Sequence, residues 1–342
     1  MIRGLLTTGL HWLTGLDRAL ARERAAPAAR ERTPAPLLLA PPGSPSYRKI
    51  ERVVLAREVA DTLLGDFAEH RAGPRGEEEV GWILLGVREE TEVRVRAALP
   101  AGADRDAGVA HVHFNSVAQA VAWRILRQAD RRLAMVGVVH THPGSLRHPS
   151  NGDYRGDILW VGQLRGGEGV FGIGTADAKP GQGNGHAGNG QAHADHVQTR
   201  GELCFSWYAL GEGDERYRRL RVEVADGPDV ARALRGVWPT IERHAPAIDA
   251  LCEQLAKVTF EVLPAERALL VRFGLANPGD AVRVLLRDGD ARFFLDQAGT
   301  LVAIDPEETQ LDRALFLILA ELARPATESP PEEQAAGLVS AG

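Results

Sequence analysis

An apolar run closes on two histidines two residues apart, and a serine and an aspartate spaced by three follow: Met135-Val-Gly-Val-Val-His140-Thr-His142, then Ser150-Asn-Gly-Asp153. The run Met135 to Val139 reads as a buried β-strand. On a strand, residues i and i+2 share a face and stand about 7 Å apart along the backbone. His140 and His142 therefore present their imidazoles to the same side. Pro143-Gly144 ends the strand, and Asn151-Gly152 leads into a helix. Two imidazoles and one carboxylate suit a catalytic zinc, with a fourth position left for water. Each half also has an ordinary reading: two structural strand histidines, and a helix cap at Ser150 and Asp153. Their joint spacing favours a metal site with His140, His142 and Asp153 as ligands.

A chain of 342 residues has room for two domains. Its 44% hydrophobic and 25% charged residues are those of a soluble globular protein. A net charge of -6 argues against a nucleic-acid binder. Cys204 and Cys252 are the only cysteines, and their spacing suggests neither a disulfide framework nor a thiolate zinc site. A reducing cytoplasm suits such a chain. Basic residues are nearly all Arg, with Lys at positions 49, 179 and 257, as GC-rich bacterial coding produces.

Residues 1–46 read as an N-terminal segment and linker. Leucines 6, 10, 13, 16 and 20 share a helical face. Thr7, Thr8, Gly9, His11 and Gly15 break the apolar core that a signal peptide needs. No run approaches the roughly 18 apolar residues of a membrane span. An Ala/Pro/Arg-rich linker follows from Ala25. Residues 47–224 alternate strands and helices, which predicts a mixed α/β layer arrangement. Strands are expected near 50–55, 79–86, 92–99 and 169–174, and helices at 58–69, 116–131 and 157–164. Segments 203–210 and 217–224 are expected to form a closing hairpin. His111 and His113 repeat the HxH spacing without a carboxylate at a suitable distance and read as structural. Residues 178–200, nearly all Gly, Ala, Asn, Gln and His, read as a mobile insertion with His186, His193 and His196 as its passengers. Residues 225–325 form a smaller α+β unit, with a helix from 229 to 256 broken at Pro239, five short strands between 258 and 304, and a helix from 311. Asp288-Gly289 and Ala298-Gly299 have hairpin-turn chemistry. Residues 326–342 read as a flexible tail.

The stretch HTHPGSLRHPSNGD fits the HxH-x7-SxxD signature of the JAMM (JAB/MPN-plus) zinc metalloproteases, and the chain resembles that family over roughly residues 48 to 224. The family also carries a glutamate seven residues before a glycine at the end of an apolar strand, and Glu79 with Gly86 matches. The resemblance implies a curved mixed sheet flanked by helices, of cytidine-deaminase-like type. It further implies a Zn2+ cofactor on His140, His142 and Asp153, Glu79 as general base, and Ser150 as hydrogen-bond donor to the tetrahedral oxyanion. Glu77 and Glu78 compete with Glu79; the spacing to Gly86 selects Glu79. The implied activity is deubiquitinase-like: cleavage after the C-terminal glycine of a ubiquitin-like modifier, in maturation or deconjugation. Bacterial coding suggests a bacterial system in which the modifier, its conjugates, and activating and conjugating enzymes are partners. A non-catalytic MPN scaffold and a zinc hydrolase acting on a sulfur-carrier protein are the alternatives.

Overall fold

The computed structural model describes residues 47–102, 116–177 and 195–324. The N-terminal leucine face and linker, His111 and His113, most of the expected insertion with His186 and His193, and the tail lie outside the described residues. The elements run β1 (Arg52–Ala56), α1 (Arg57–Ala72), β2 (Gly81–Arg88), β3 (Glu92–Pro100), α2 (Ser116–Ala129), β4 (Ala134–Thr141), α3 (Asn151–Asp157), β5 (Glu168–Thr175), β6 (Val197–Arg200), β7 (Leu203–Gly211), β8 (Arg218–Arg219) and β9 (Arg221–Ala225). There follow α4 (Trp238–Gln254), β10 (Val258–Leu263), β11 (Ala268–Gly274), β12 (Ala281–Arg287), β13 (Asp290–Gln297), β14 (Thr300–Ile304) and α5 (Leu311–Ala323).

The first nine strands make one mixed sheet in the order β6-β7-β5-β4-β2-β3-β1-β9, with β8 on β7. The segment 217–225 reaches both halves of the sheet, β8 pairing with β7 and β9 with β1. The expected hairpin of 203–210 with 217–224 is thereby corrected: only Arg218 and Arg219 pair with β7, and β9 crosses to run parallel to β1. The Leu220 amide donates to the Trp207 carbonyl at 2.9 Å, tying the crossing segment to the far rim. The sheet curls around α1, whose Val59, Leu63 and Phe67 bury against Leu84, Phe205 and Trp207.

A bulge lets one sheet serve two cores. The β2–β3 register steps from Leu85↔Ala97 to Gly86↔Val95, leaving Arg96 unpaired. Val93 and Val95 therefore face α1, whereas Ala97 and Leu99 face α2 on the opposite side. The Arg96 carbonyl accepts from the Val230 amide at 2.9 Å, anchoring the chain as it leaves the first sheet. A Cβ at Gly86 would stand 2.2 Å from the Arg94 carbonyl oxygen, so only glycine fits beside the bulge.

The second sheet is an antiparallel meander, β10-β11-β12-β13-β14. Its inward Leu269, Val271, Val284 and Phe293 join Val121 and Ile125 of α2 and Ile248 of α4 in a single core. Both expected hairpin turns form, and Ala298 and Gly299 have φ 51 and 85, as a two-residue turn of the primed kind requires. Pro239 opens α4 rather than breaking it, because a proline in the first turn gives up an amide that has no helical partner anyway; the proline inside the helix is Pro246. The expected helix 157–164 is also corrected. α3 stops at Asp157, and Val161–Gln163 is a 3-10 turn that buries Val161 and Leu164. No helix among the described residues is long and apolar enough to cross a membrane.

Candidate metal centre

β4 and α3 place the three expected ligands. His140 near the end of β4 and His142 just beyond it share one face, both buried, while Thr141 between them points the other way and is also buried. The Thr141 hydroxyl accepts from the Val80 amide at 3.0 Å, and the Thr141 amide donates to the Val80 carbonyl at 2.9 Å. This clasp lays residues 79–80 alongside the histidines before β2 begins at Gly81. The Pro143–Pro149 loop is pinned on both sides: Tyr208 donates its hydroxyl to the Arg147 carbonyl at 2.7 Å, and the Arg147 guanidinium grips Asp177. After the loop, Ser150 caps α3. Its Oγ accepts from the amides of Gly152 and Asp153 at 3.1 and 3.2 Å, and Asp153 Oδ2 accepts from the Ser150 amide at 2.5 Å. The helix-cap reading of Ser150 and Asp153 and the metal reading hold together, since the capped carboxylate turns Oδ1 to His140 and Oδ2 to His142.

The donor atoms converge. His140 Nε2 and His142 Nε2 are 3.1 Å apart; Asp153 Oδ1 is 3.3 Å from the first and Oδ2 3.5 Å from the second. Atoms about 2.0–2.1 Å from a tetrahedral zinc lie roughly 3.3 Å from each other. The tautomer agrees as well. His142 Nδ1–H donates to the Leu146 carbonyl at 2.7 Å, which leaves the Nε2 lone pair turned inward. Among the described residues, this is the group of metal-ligating side chains that meets within 4.8 Å. The residues thus fit a zinc ion. Burial pulls the His142 pKa down, but Asp153, the Leu146 carbonyl and the charge of Glu79 outweigh it and raise it overall. Burial would likewise raise Asp153, yet both imidazoles and the Ser150 amide hold it well below the usual carboxylate range.

The three glutamates separate clearly. Glu77 is exposed, Glu78 pairs with Arg75 at 2.5 Å, and Glu79 is buried, 5% exposed, with its charge felt at His142. His148 is exposed in the loop, its Nδ1 3.2 Å from the Pro149 carbonyl, and stands outside the cluster. His196, expected in the insertion, is instead buried against Tyr208 just before β6, and the last four residues of that stretch are strand. Both cysteines are free thiols, Cys204 buried beside the Thr175 hydroxyl.

Asp157 and Tyr217 were not singled out from the sequence. Asp157 lies one helical turn beyond Asp153, and the Tyr217 hydroxyl donates to it at 2.7 Å. Desolvation, aided by the charge of Asp153, pushes its pKa up to about 6, against the opposing pull of Tyr217 and His140. The available signal was the i, i+4 spacing of the two aspartates. A carboxyl whose pKa rises on folding makes the native state bind more protons than the unfolded chain between the two values. Stability therefore falls as pH rises through that window and stays lowered above it. Asp157→Asn should stabilise the metal-free protein near neutral and alkaline pH by on the order of 1–3 kcal/mol. Below the unfolded carboxyl pKa it should bring no gain. Urea midpoints at the two pH extremes check this, and equal shifts at both would show that folding does not raise the Asp157 pKa.

Residues 61–180, which include Glu79, His140, His142, Ser150 and Asp153, match the family model for prokaryotic homologs of the JAB domain. No curated protein matches the chain. Among solved structures, the solution structure of protein DSY2949 from Desulfitobacterium hafniense aligns at 15% identity and a TM-score of 0.35, covering 52% of this chain and 95% of that one.

Proposed function

We propose, from the match of residues 61–180 to the prokaryotic JAB-domain family model, that the protein is a zinc-dependent isopeptidase or peptidase. It cuts after the C-terminal glycine of a ubiquitin-like modifier, to mature it or to release it from targets. The observation that carries this reading is the convergence of His140 Nε2, His142 Nε2 and the Asp153 carboxylate at 3.1 to 3.5 Å, with buried Glu79 beside them. A zinc ion on these three ligands would supply Lewis acidity and lower the pKa of water towards about 7. Glu79 accepts the proton of the attacking water and passes it to the leaving amine as the C–O bond forms and the C–N bond breaks. Ser150 Oγ takes its two backbone hydrogen bonds as an acceptor, so its own proton is available to the oxyanion. The free thiols accord with a reducing cytoplasmic setting.

The complete set of five residues speaks against a non-catalytic scaffold. The test is a folded ubiquitin-like protein carrying a peptide beyond its terminal glycine, incubated with the zinc-loaded enzyme. Cleavage at the glycine, with an unfolded casein-like substrate left intact, is expected. Equal cleavage of both would identify a broad protease. Release of an amino acid from a sulfur-carrier protein alone would favour the other hydrolase reading.

A further inference from the structure

We propose that the outer edge of β14 is a self-association site, at which two copies of the chain pair β14 with β14 in antiparallel register about Val302. Among the described residues, nothing pairs with that edge. The strand Thr300-Leu-Val-Ala-Ile304 carries no charge and no proline, and its register against β13 is unbroken. Its first four residues are exposed, Leu301 at 55% and Val302 at 40%. Natural sheet edges are normally guarded by charges, proline, bulges or a covering element. The opposite edge of the same sheet shows such guarding: β10 carries Glu261, and its Phe260 amide donates to Gln128 of α2 at 2.9 Å. On β14 a charge and a proline, Asp305 and Pro306, come only after the strand has ended at Ile304, so its five paired residues carry no such guard. With Leu317 of α5, 59% exposed, residues 301–317 supply three of the five large apolar side chains that stand exposed in the described structure.

The strand's own pattern selects a second copy as the occupant. The Ala298-Gly299 turn makes Gln297 and Thr300 the hydrogen-bonded pair that closes the hairpin. Alternation then turns Val302 and Ile304 towards β13, and the amide and carbonyl groups of Leu301 and Ala303 outward. Setting Val302 opposite Val302 places Leu301 of each copy against Ala303 of the other. Every outward amide and carbonyl finds a partner, a large side chain meets a small one, and the contact closes on a two-fold axis. A partner selected by charge has nothing to read on this strand. The patch is small, so association is weak and concentration-dependent.

Sedimentation of the full chain over a wide concentration series should show the mass rising from one copy to two. Val302→Lys, which sets like charges face to face across the axis, should weaken association about tenfold or more. Ala303→Pro should do the same by removing an outward amide while leaving the bonds to β13 intact. Unchanged zinc content and thermal unfolding would show that both variants fold. Under a thiol oxidant, Val302→Cys should cross-link to its own copy, and Thr300→Cys, which would face Ile304, should not. A wild-type chain that stays monomeric at every concentration overturns the proposal. So does a dimer that neither Val302→Lys nor Ala303→Pro weakens, or one that cross-links through position 300 instead of 302.

Discussion

Glu79→Gln should leave the protein folded and loaded with zinc while turnover falls by about 10²- to 10⁴-fold, the usual contribution of a positioned general base. The amide is nearly isosteric with the carboxylate, and Glu79 sits on the Val80–Thr141 clasp rather than among the converging ligand atoms. Gln cannot take up a proton at neutral pH, so hydrolysis stalls although a conjugate still binds. The control is Glu78→Gln, which should be almost silent. Strand alternation would set Glu78 aside if both residues lay in β2, but β2 starts only at Gly81. Glu78 is removed from the chemistry by its pairing with Arg75. Steady-state turnover beside metal analysis of each variant separates the outcomes. Inactive Glu78→Gln with active Glu79→Gln would put the base one residue earlier. Two fully active variants would end the glutamate mechanism.

Removing a ligand should act on the metal before it acts on the fold. His142→Ala or Asp153→Ala leaves two of the three protein donors, too few to hold zinc at one per chain, and activity should vanish with it. The two variants should then differ in stability. Asp153 also closes the capping box of α3, so its loss should destabilise the metal-free protein by about 0.5–2 kcal/mol, as cap deletions do. Elemental analysis and chelator-treated unfolding curves read the two effects separately. Full zinc content in either variant would refute the ligand set.

The local chemistry of the site was legible in the sequence because it is carried by short-range geometry. His140 and His142 share a face through the two-residue period of a strand. Ser150 and Asp153 meet because a helix N-terminus leaves amides to be capped. The spacing from Glu79 to Gly86 has a plain physical basis, since Gly86 sits where a Cβ would collide with the Arg94 carbonyl. Much of the meander of β10 to β14 was readable for a similar reason: Gly289 and Gly299 stand in its last two turns where the backbone takes positive φ, although Arg267 and Ala298 do so without being glycine. What the sequence could not decide were contacts between segments distant along the chain. Residues 217–224 have the pattern of a hairpin partner for β7, yet β9 lies against β1, because pairing both rims lets the sheet close around α1. The burial that pushes Asp157 up and the Tyr217 hydroxyl that meets it come together only through folding, since the two residues are 60 apart in the chain. The Arg96 bulge likewise turns Ala97 and Leu99 towards the second unit, a choice set by what packs there rather than by periodicity. The chain's own pattern therefore determined which side chains could form a metal site, and the tertiary structure decided what surrounds it, because desolvation and packing depend on neighbours that no local window contains.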